Sequence, residues 1–279
     1  MATLPFVKMH GIGNDYVYVD AFVHQVADPA ALAQRVSPRR TGIGSDGLIL
    51  IRPSDVADAR MEMYNADGSR GAMCGNGIRC VGKYVYDSGR SRNNPLRIDS
   101  DSGIKTLQLE LRGGQVARVA VDMGEPILDG PRIPVAAEGR VIDAPLEVAG
   151  VSYQVTCVSM GNPHCVVFVD DVEGLDLERL GPPFERHAFF PQRVNTEFIH
   201  VESPTRLRMR VWERGSGETA ACGTGACAAL VAAVLTGRAE RRATLMLNGG
   251  TLEIEWRESD GHVLMTGDAE EVFRGEIEV

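Results

Sequence analysis

A chain of 279 residues is either one large domain or two of ordinary size, and 44% hydrophobic with 24% charged residues is a globular composition. A formal net charge of −9, with no long run of Lys and Arg, argues against a nucleic-acid surface. The longest strongly apolar run, Ala226 to Leu235, is about half of what a membrane span requires.

In chain order, Met1 to Lys8 lacks the basic-then-apolar pattern of a signal peptide, so a cytoplasmic location is expected. The six cysteines then read as thiols rather than as a disulfide framework. A turn built on Gly11, Gly13 and Asn14 leads into a buried strand, Tyr16 to Val19. Pro29 to Val36 predicts a helix. Short strands are predicted over Leu48 to Ile51, Arg60 to Tyr64, Thr106 to Leu111 and Val116 to Val121. Between them, Ile78, Val81, Gly82 and Val85 form one apolar helical stripe that stops near Ser88-Gly89. Beyond Met123 to Pro126 the theme repeats. Gly161-Asn162-Pro163 turns into Cys165 to Val169, a helix is predicted over Leu175 to Leu180, and strands over Val151 to Val158, Val194 to Val201, Leu207 to Trp212, Thr244 to Leu247 and Thr251 to Trp256. Ala226 to Leu235 is apolar nearly all round, as a buried helix is, and stops at Thr236-Gly237.

The repetition has a fixed offset. Cys74-Gly75-Asn76-Gly77 and Cys222-Gly223-Thr224-Gly225 lie 222 − 74 = 148 residues apart, and the same step carries Gly13-Asn14 onto Gly161-Asn162. It also carries Arg60 to Tyr64 onto Arg208 to Trp212. The expected division is 1–123 with the first motif cysteine, 124–267 with the second, and a segment 268–279 returning to the first half. The expected fold class is α/β of the α+β kind: two pseudo-symmetric halves, each a strongly curved mixed sheet around a central helix.

A cysteine ahead of a helix has unpaired first-turn N–H groups and the positive end of the dipole beside it. That position is expected to lower the thiol's pKa and make it a base near neutral pH, while the adjoining glycines let backbone N–H groups approach a carboxylate. Two such helix starts, one per half, suggest a junction site with a sulfur on either face of one carbon. Cys80, Cys157, Cys165 and Cys227 read as small buried residues. A zinc site fits poorly, because the cysteine gaps are wrong and no paired histidines follow. Neither glycine cluster continues into the Gly-Lys-Ser/Thr of a phosphate loop. The offset also pairs Asn14 with Asn162, Asn65 with Glu213, and Gly47 with Asn195. Glu213-Arg214 is suited to hold the ammonium and carboxylate of an amino acid, and His164 stands close enough in sequence to join the site.

With these motifs in order, the chain resembles the diaminopimelate epimerases, within the cofactor-independent two-cysteine amino-acid epimerases and racemases. The resemblance rests on Asn65 to Ser69 through Met73 to Gly77, on Gly161 to His164, and on Trp212 to Gly215 through Ala221 to Gly225. Gly11 to Asp15 and Thr41 to Gly47 add to it. It implies interconversion of LL- and meso-diaminopimelate, in lysine and peptidoglycan precursor synthesis, with neither pyridoxal phosphate nor metal. It implies Cys74 and Cys222 as the acid/base pair, with Asn14, Gly75, Asn76, Gly223 and Thr224 at the reacting end. Asn65, Asn162, His164, Asn195, Glu213 and Arg214 would contact the substrate, and the halves would close over it. Members are often homodimers; no nucleic-acid or membrane partner is implied. Many members have glutamine where this chain has Gly47, so Gly47 is left out of the site. Proline racemase is the nearest alternative, but its substrate has no distal amino-acid group to engage so many polar residues. A redox pair is the other, though Cys-x-x-Cys is absent.

Overall fold

The computed structural model describes residues 3–278; Met1, Ala2 and Val279, which belong to the terminal segments discussed above, lie outside the described residues. The chain forms two compact units. One runs up to Val121 and resumes from Thr266; the other is Asp122–Met265. The secondary structure is mixed and mostly strands, with four α-helices among the described residues.

In the first unit, β1 (Thr3–Gly11) lies between β2 (Asn14–Asp20) and β18 (Glu270–Glu278), antiparallel to both. β2 runs parallel to β3 (Gly47–Arg52), which pairs antiparallel with β4 (Ala59–Asn65). β4 pairs with the short β5 (Arg70–Gly71) and, in parallel, with β6 (Leu96–Asp99). β7 (Lys105–Arg112) and β8 (Gln115–Asp122) complete the antiparallel run. Helix α1 (Pro29–Val36) packs outside on β3 and β4, its Leu32, Ala33 and Val36 joining Leu48, Leu50 and Val17 in one core cluster. Helix α2 (Gly75–Asp87) packs against β1 and β2 and also against β4, β6 and β7, so the sheet curls around it.

The second unit repeats this order. β9 (Ala144–Val148), β10 (Val151–Ser159) and β11 (Pro163–Phe168) are antiparallel neighbours. β12 (Asn195–Ser203) is parallel to β11 and antiparallel to β13 (Arg206–Glu213). β13 pairs with β14 (Gly217–Thr219) and in parallel with β15 (Arg242–Leu247), which pairs with β16 (Gly250–Trp256). Helix α4 (Gly223–Leu235) packs against β10, β11, β12, β15 and β16. Strand β17 (Val263–Asp268) spans the boundary, its first three residues in this unit and its last three in the other.

The register follows the repeat. Tyr16 faces Gly47 across β2 and β3, and His164 faces Asn195 across β11 and β12, each 148 residues on. Met63 faces Gly71 and Val211 faces Thr219 by the same step. Both central helices stop where their glycines predict: α2 at Ser88 with Gly89 at φ 77°, α4 at Thr236 with Gly237 at φ 70°.

Helix α3 (Leu177–Glu185) differs from expectation at both ends. Its start is set by Asp176, whose carboxylate accepts from the Arg179 N–H at 3.2 Å. It continues through Pro182-Pro183 because Phe184 packs fully buried against Phe198, and because Gly181 lies flat against the Trp212 ring. Local punctuation by proline gives way to packing there. Among the described residues no helix is long and apolar enough to cross a membrane.

Candidate active site

Each central helix begins one residue after a motif cysteine, so Cys74 and Cys222 are the N-cap residues of α2 and α4, both extended, at φ −129° and −123°. Cys80, Cys157, Cys165 and Cys227 are buried in the cores.

In the first unit the turn between β1 and β2 presents Asn14. Its Nδ2 donates to Asp46 Oδ2 at 2.7 Å, and Arg39 donates to the other oxygen of that carboxylate at 2.8 Å. An ionised carboxylate only accepts, so the amide's orientation is fixed and Oδ1 faces Cys74. The Cys74 thiol donates to it at 3.0 Å. The same sulfur accepts from the Gly77 N–H at 3.4 Å. Five residues into α2, Arg79 is fully buried and donates to the carbonyls of Gly75 and Asp268. Burial pushes the Cys74 thiol above its ordinary value, against the N–H groups of Gly77 and Asn76, the Arg79 cation and Tyr16. The expectation of a lowered pKa at this helix start is therefore corrected: desolvation outweighs the first-turn dipoles.

Asn65 closes the turn after β4, donating to Ser69 Oγ at 2.9 Å. Asn76 is buried in the first turn of α2, and its Oδ1 has no hydrogen-bond partner among the described residues. Gly47 has no room for a side chain. A Cβ there would lie 2.1 Å from the Tyr64 carbonyl oxygen and 3.0 Å from the Tyr16 ring, so a glutamine does not fit this backbone.

In the second unit Cys222 is buried and 3.6 Å from Thr224 Oγ1, and its side chain makes no capping hydrogen bond to the first turn of α4 among the described residues. Burial pushes this thiol far above its ordinary value, and the carboxylates of Glu213 and Glu197 push it further. Thr224 and the Gly225 N–H pull weakly the other way. His164 is fully buried. Its Nδ1 is 2.7 Å from Glu197 Oε1 and its Nε2 is 3.0 Å from Asn162 Oδ1. Asn195 Oδ1 accepts from the Arg214 N–H at 2.9 Å, joining β12 to the end of β13. Glu213 accepts from Thr219 Oγ1 at 2.5 Å, while the exposed Arg214 donates to the Gln192 carbonyl at 3.1 Å.

The expected residues thus gather in two sets. Asn14, Asn65, Gly75 and Asn76 accompany Cys74; Asn162, His164, Asn195, Glu213, Arg214, Gly223 and Thr224 accompany Cys222. The family model for diaminopimelate epimerase matches residues 6–128 and 156–272. The chain is 54% identical over 275 residues to the diaminopimelate epimerase of Acetivibrio thermocellus, covering 98% of each chain. The chain belongs to the diaminopimelate epimerase family. It is 52% identical over 277 residues to the corresponding enzyme of Methanococcus maripaludis, covering 99% of this chain and 100% of that one. Among solved structures its fold is similar to a phenazine biosynthesis protein of the PhzF family from Bacillus anthracis, with TM-score 0.70, 15% identity and full coverage of both chains. It is also similar to a hydroxyproline epimerase from Agrobacterium vitis, with TM-score 0.68, 15% identity, and coverage of 99% and 91%.

Several residues outside the expected site set support it. Asp46 and Arg39 fix the Asn14 amide; Arg79 and Tyr16 act on Cys74; Glu197 holds His164. Glu197 had a visible signal. The 148-residue step sets it on Ile49, a carboxylate where the other half has an alkyl chain.

Proposed function

We propose that this protein interconverts LL- and meso-diaminopimelate by a two-base mechanism in which Cys74 and Cys222 are the acid/base residues. Membership of the family, joined to a cysteine at the N-cap of each central helix, carries the reading. In each direction one sulfur, as thiolate, takes the α-proton while the other, as thiol, delivers a proton to the opposite face. The electron pair left by the departing proton is held by the substrate carboxylate. First-turn N–H groups beside Gly75, Asn76, Gly223 and Thr224 stabilise that charge as helix starts do. Asn14 serves the reacting end, while Asn65, Asn162, His164, Asn195, Glu213 and Arg214 bind the substrate and its distant stereocentre. Glu213 suits an ammonium and Arg214 a carboxylate.

Burial holds both thiols above their ordinary value, so the base is a minority form without a further shift. The reading therefore includes a shift on substrate binding, when the ammonium and the exclusion of water change the local field. Neither pyridoxal phosphate nor a metal enters any step. By the same resemblance the enzyme acts in lysine and peptidoglycan precursor synthesis, in the cytoplasm, as a homodimer. Sedimentation of the purified protein tests the last point.

The deciding assay measures turnover of LL-diaminopimelate and of proline in reducing buffer, for the wild type and for Cys74→Ser and Cys222→Ser. The proposal expects turnover of the first substrate only, lost in each variant. Turnover of proline instead, or full activity in either serine variant, refutes it.

A further inference from the structure

The internal repeat makes each half a control for the other. His164 stands where the first unit has Tyr16, Glu197 where it has Ile49, and Asn162 where it has Asn14, each 148 residues apart and in the same register across the parallel strand pairs. Gly77 and Gly225, in the first turns of α2 and α4, correspond as well. A Cβ on Gly77 would meet Ile49 Cδ1 at 2.8 Å, and one on Gly225 would meet Glu197 Oε1 at 2.5 Å. Ile49 and Glu197 therefore occupy the same place beneath the cysteine-capped helix. The scaffold accepts an alkyl chain there, yet in the second unit it buries a carboxylate completely.

That carboxylate is a poor stabiliser. One oxygen is bound to His164, but Oε2 has no hydrogen-bond partner among the described residues. A desolvated carboxylate with an empty oxygen costs stability relative to a packed alkyl chain. Something other than folding keeps it.

Its contacts indicate what. Glu197 engages Nδ1 of His164, and the opposite ring nitrogen reaches Asn162 Oδ1 at 3.0 Å. The ring thus ties the Glu197 carboxylate to the Asn162 amide. Asn14 is held differently, with its nitrogen on Asp46 and its oxygen toward Cys74. We propose that Glu197 is a positioning residue for the reaction, fixing His164 and through it the Asn162 amide, and placing a carboxylate beside Cys222 where the first unit has the alkyl chain of Ile49. This rests on the reading of both cysteines as acid/base residues. The asymmetry makes Cys222 the proton-holding partner at rest and leaves Cys74, with Arg79 beside it, to supply the thiolate.

The groups that face Cys222 are Glu197 on β12, Glu213 on β13, and Thr224 and the Gly225 N–H on α4, with His164 on β11 facing Glu197. Burial and the two carboxylates act in one direction, which agrees with the geometry.

The test uses Glu197→Ile, which copies the first unit, and Glu197→Gln, which keeps an oxygen for Nδ1–H and removes the charge. Thermal unfolding, kcat and KM for LL-diaminopimelate, and the pH dependence of iodoacetamide alkylation at Cys74 and Cys222 are read by peptide mass spectrometry. Glu197→Ile leaves the buried Nδ1 of His164 unpaired, so it is expected to melt lower than wild type and to lose about 100-fold in kcat/KM, the scale of a misplaced contact group. Glu197→Gln is expected to recover part of kcat. In both, Cys222 alkylates at lower pH than in wild type while Cys74 is unmoved. Wild-type kcat/KM in a folded Glu197→Ile, or an unmoved Cys222 profile in Glu197→Gln, overturns the proposal. If wild-type protein itself fails to turn over LL-diaminopimelate, the functional reading fails, and the alkylation profiles still decide the effect of Glu197 on Cys222.

Discussion

Replacing Gly225 by alanine adds one methyl group to the first turn of α4, where it meets a side chain that cannot yield. Its Cβ would lie 2.5 Å from Glu197 Oε1 and 3.2 Å from both Cγ and Cδ. Ordinary contact begins at 3.4 Å, so the carboxylate would have to retreat by 3.4 − 2.5 = 0.9 Å. Glu197 is fully buried and bonded to His164 at 2.7 Å, and such a retreat breaks that bond or moves the ring. Overpacking of this kind costs about 1–3 kcal/mol, while alanine in place of helical glycine returns about 1 kcal/mol. The net expectation is a loss of about 0–2 kcal/mol, or a melting point lower by up to about 8 °C. Gly77→Ala is the internal comparison. Its Cβ meets the terminal methyl groups of Ile49 at 2.8 Å and Met61 at 3.2 Å, which move by changing rotamer, so its stability should stay within about 1 kcal/mol of wild type. Urea unfolding of both variants beside wild type checks the difference. A Gly225→Ala protein as stable as Gly77→Ala would show that Glu197 is not held as described.

Three further outcomes are expected. Gly47→Gln should destabilise by about 1–3 kcal/mol or more, since its Cβ strikes the Tyr64 carbonyl at 2.1 Å; a neutral effect on urea unfolding would contradict this. Burial raises Cys80 to about 11 from 9.0, against the pull of Tyr18 and Arg79. A folded value above the unfolded one gives stability that is present below pH 9 and lost as pH rises toward 11. Its share is about 2–3 kcal/mol, so urea unfolding at about pH 8 and about pH 10.5 should show a smaller fall for Cys80→Ala than for wild type; equal falls refute it. Arg79→Met removes a cation that opposes burial at Cys74, so a folded variant should alkylate more slowly at Cys74 at a given pH, and an unchanged rate would count against that role.

What the sequence revealed follows from where the physics is local. The central helices were legible because Cys74 and Cys222 precede glycine-rich starts, and Gly89 and Gly237 end them in left-handed backbone. Most strands were legible from alternation, and the repeat from a constant offset. Other features depend on partners far along the chain. β18 lies against β1 as β9 lies against β10, but β9 precedes its unit's strands while β18 follows its own, so no offset relates them. Short strands such as β6 exist because β4 and β7 flank them, not because four residues favour extension. The polar supports were hidden for the same reason. Asp46 reaches Asn14 across 32 residues, and Glu197 reaches His164 across 33. The thiol pKa expectation failed because sequence shows the helix start but not the desolvation around it.

The two-base chemistry is tested most directly by solvent label. LL-diaminopimelate is converted in D₂O to low conversion, and both product and recovered substrate are analysed at the α-carbon. Two cysteines acting in turn require deuterium at the inverted carbon of the product and none in the recovered substrate. Product that keeps the original hydrogen would mean that a single group both removes and returns the proton, and the paired-cysteine account would fall.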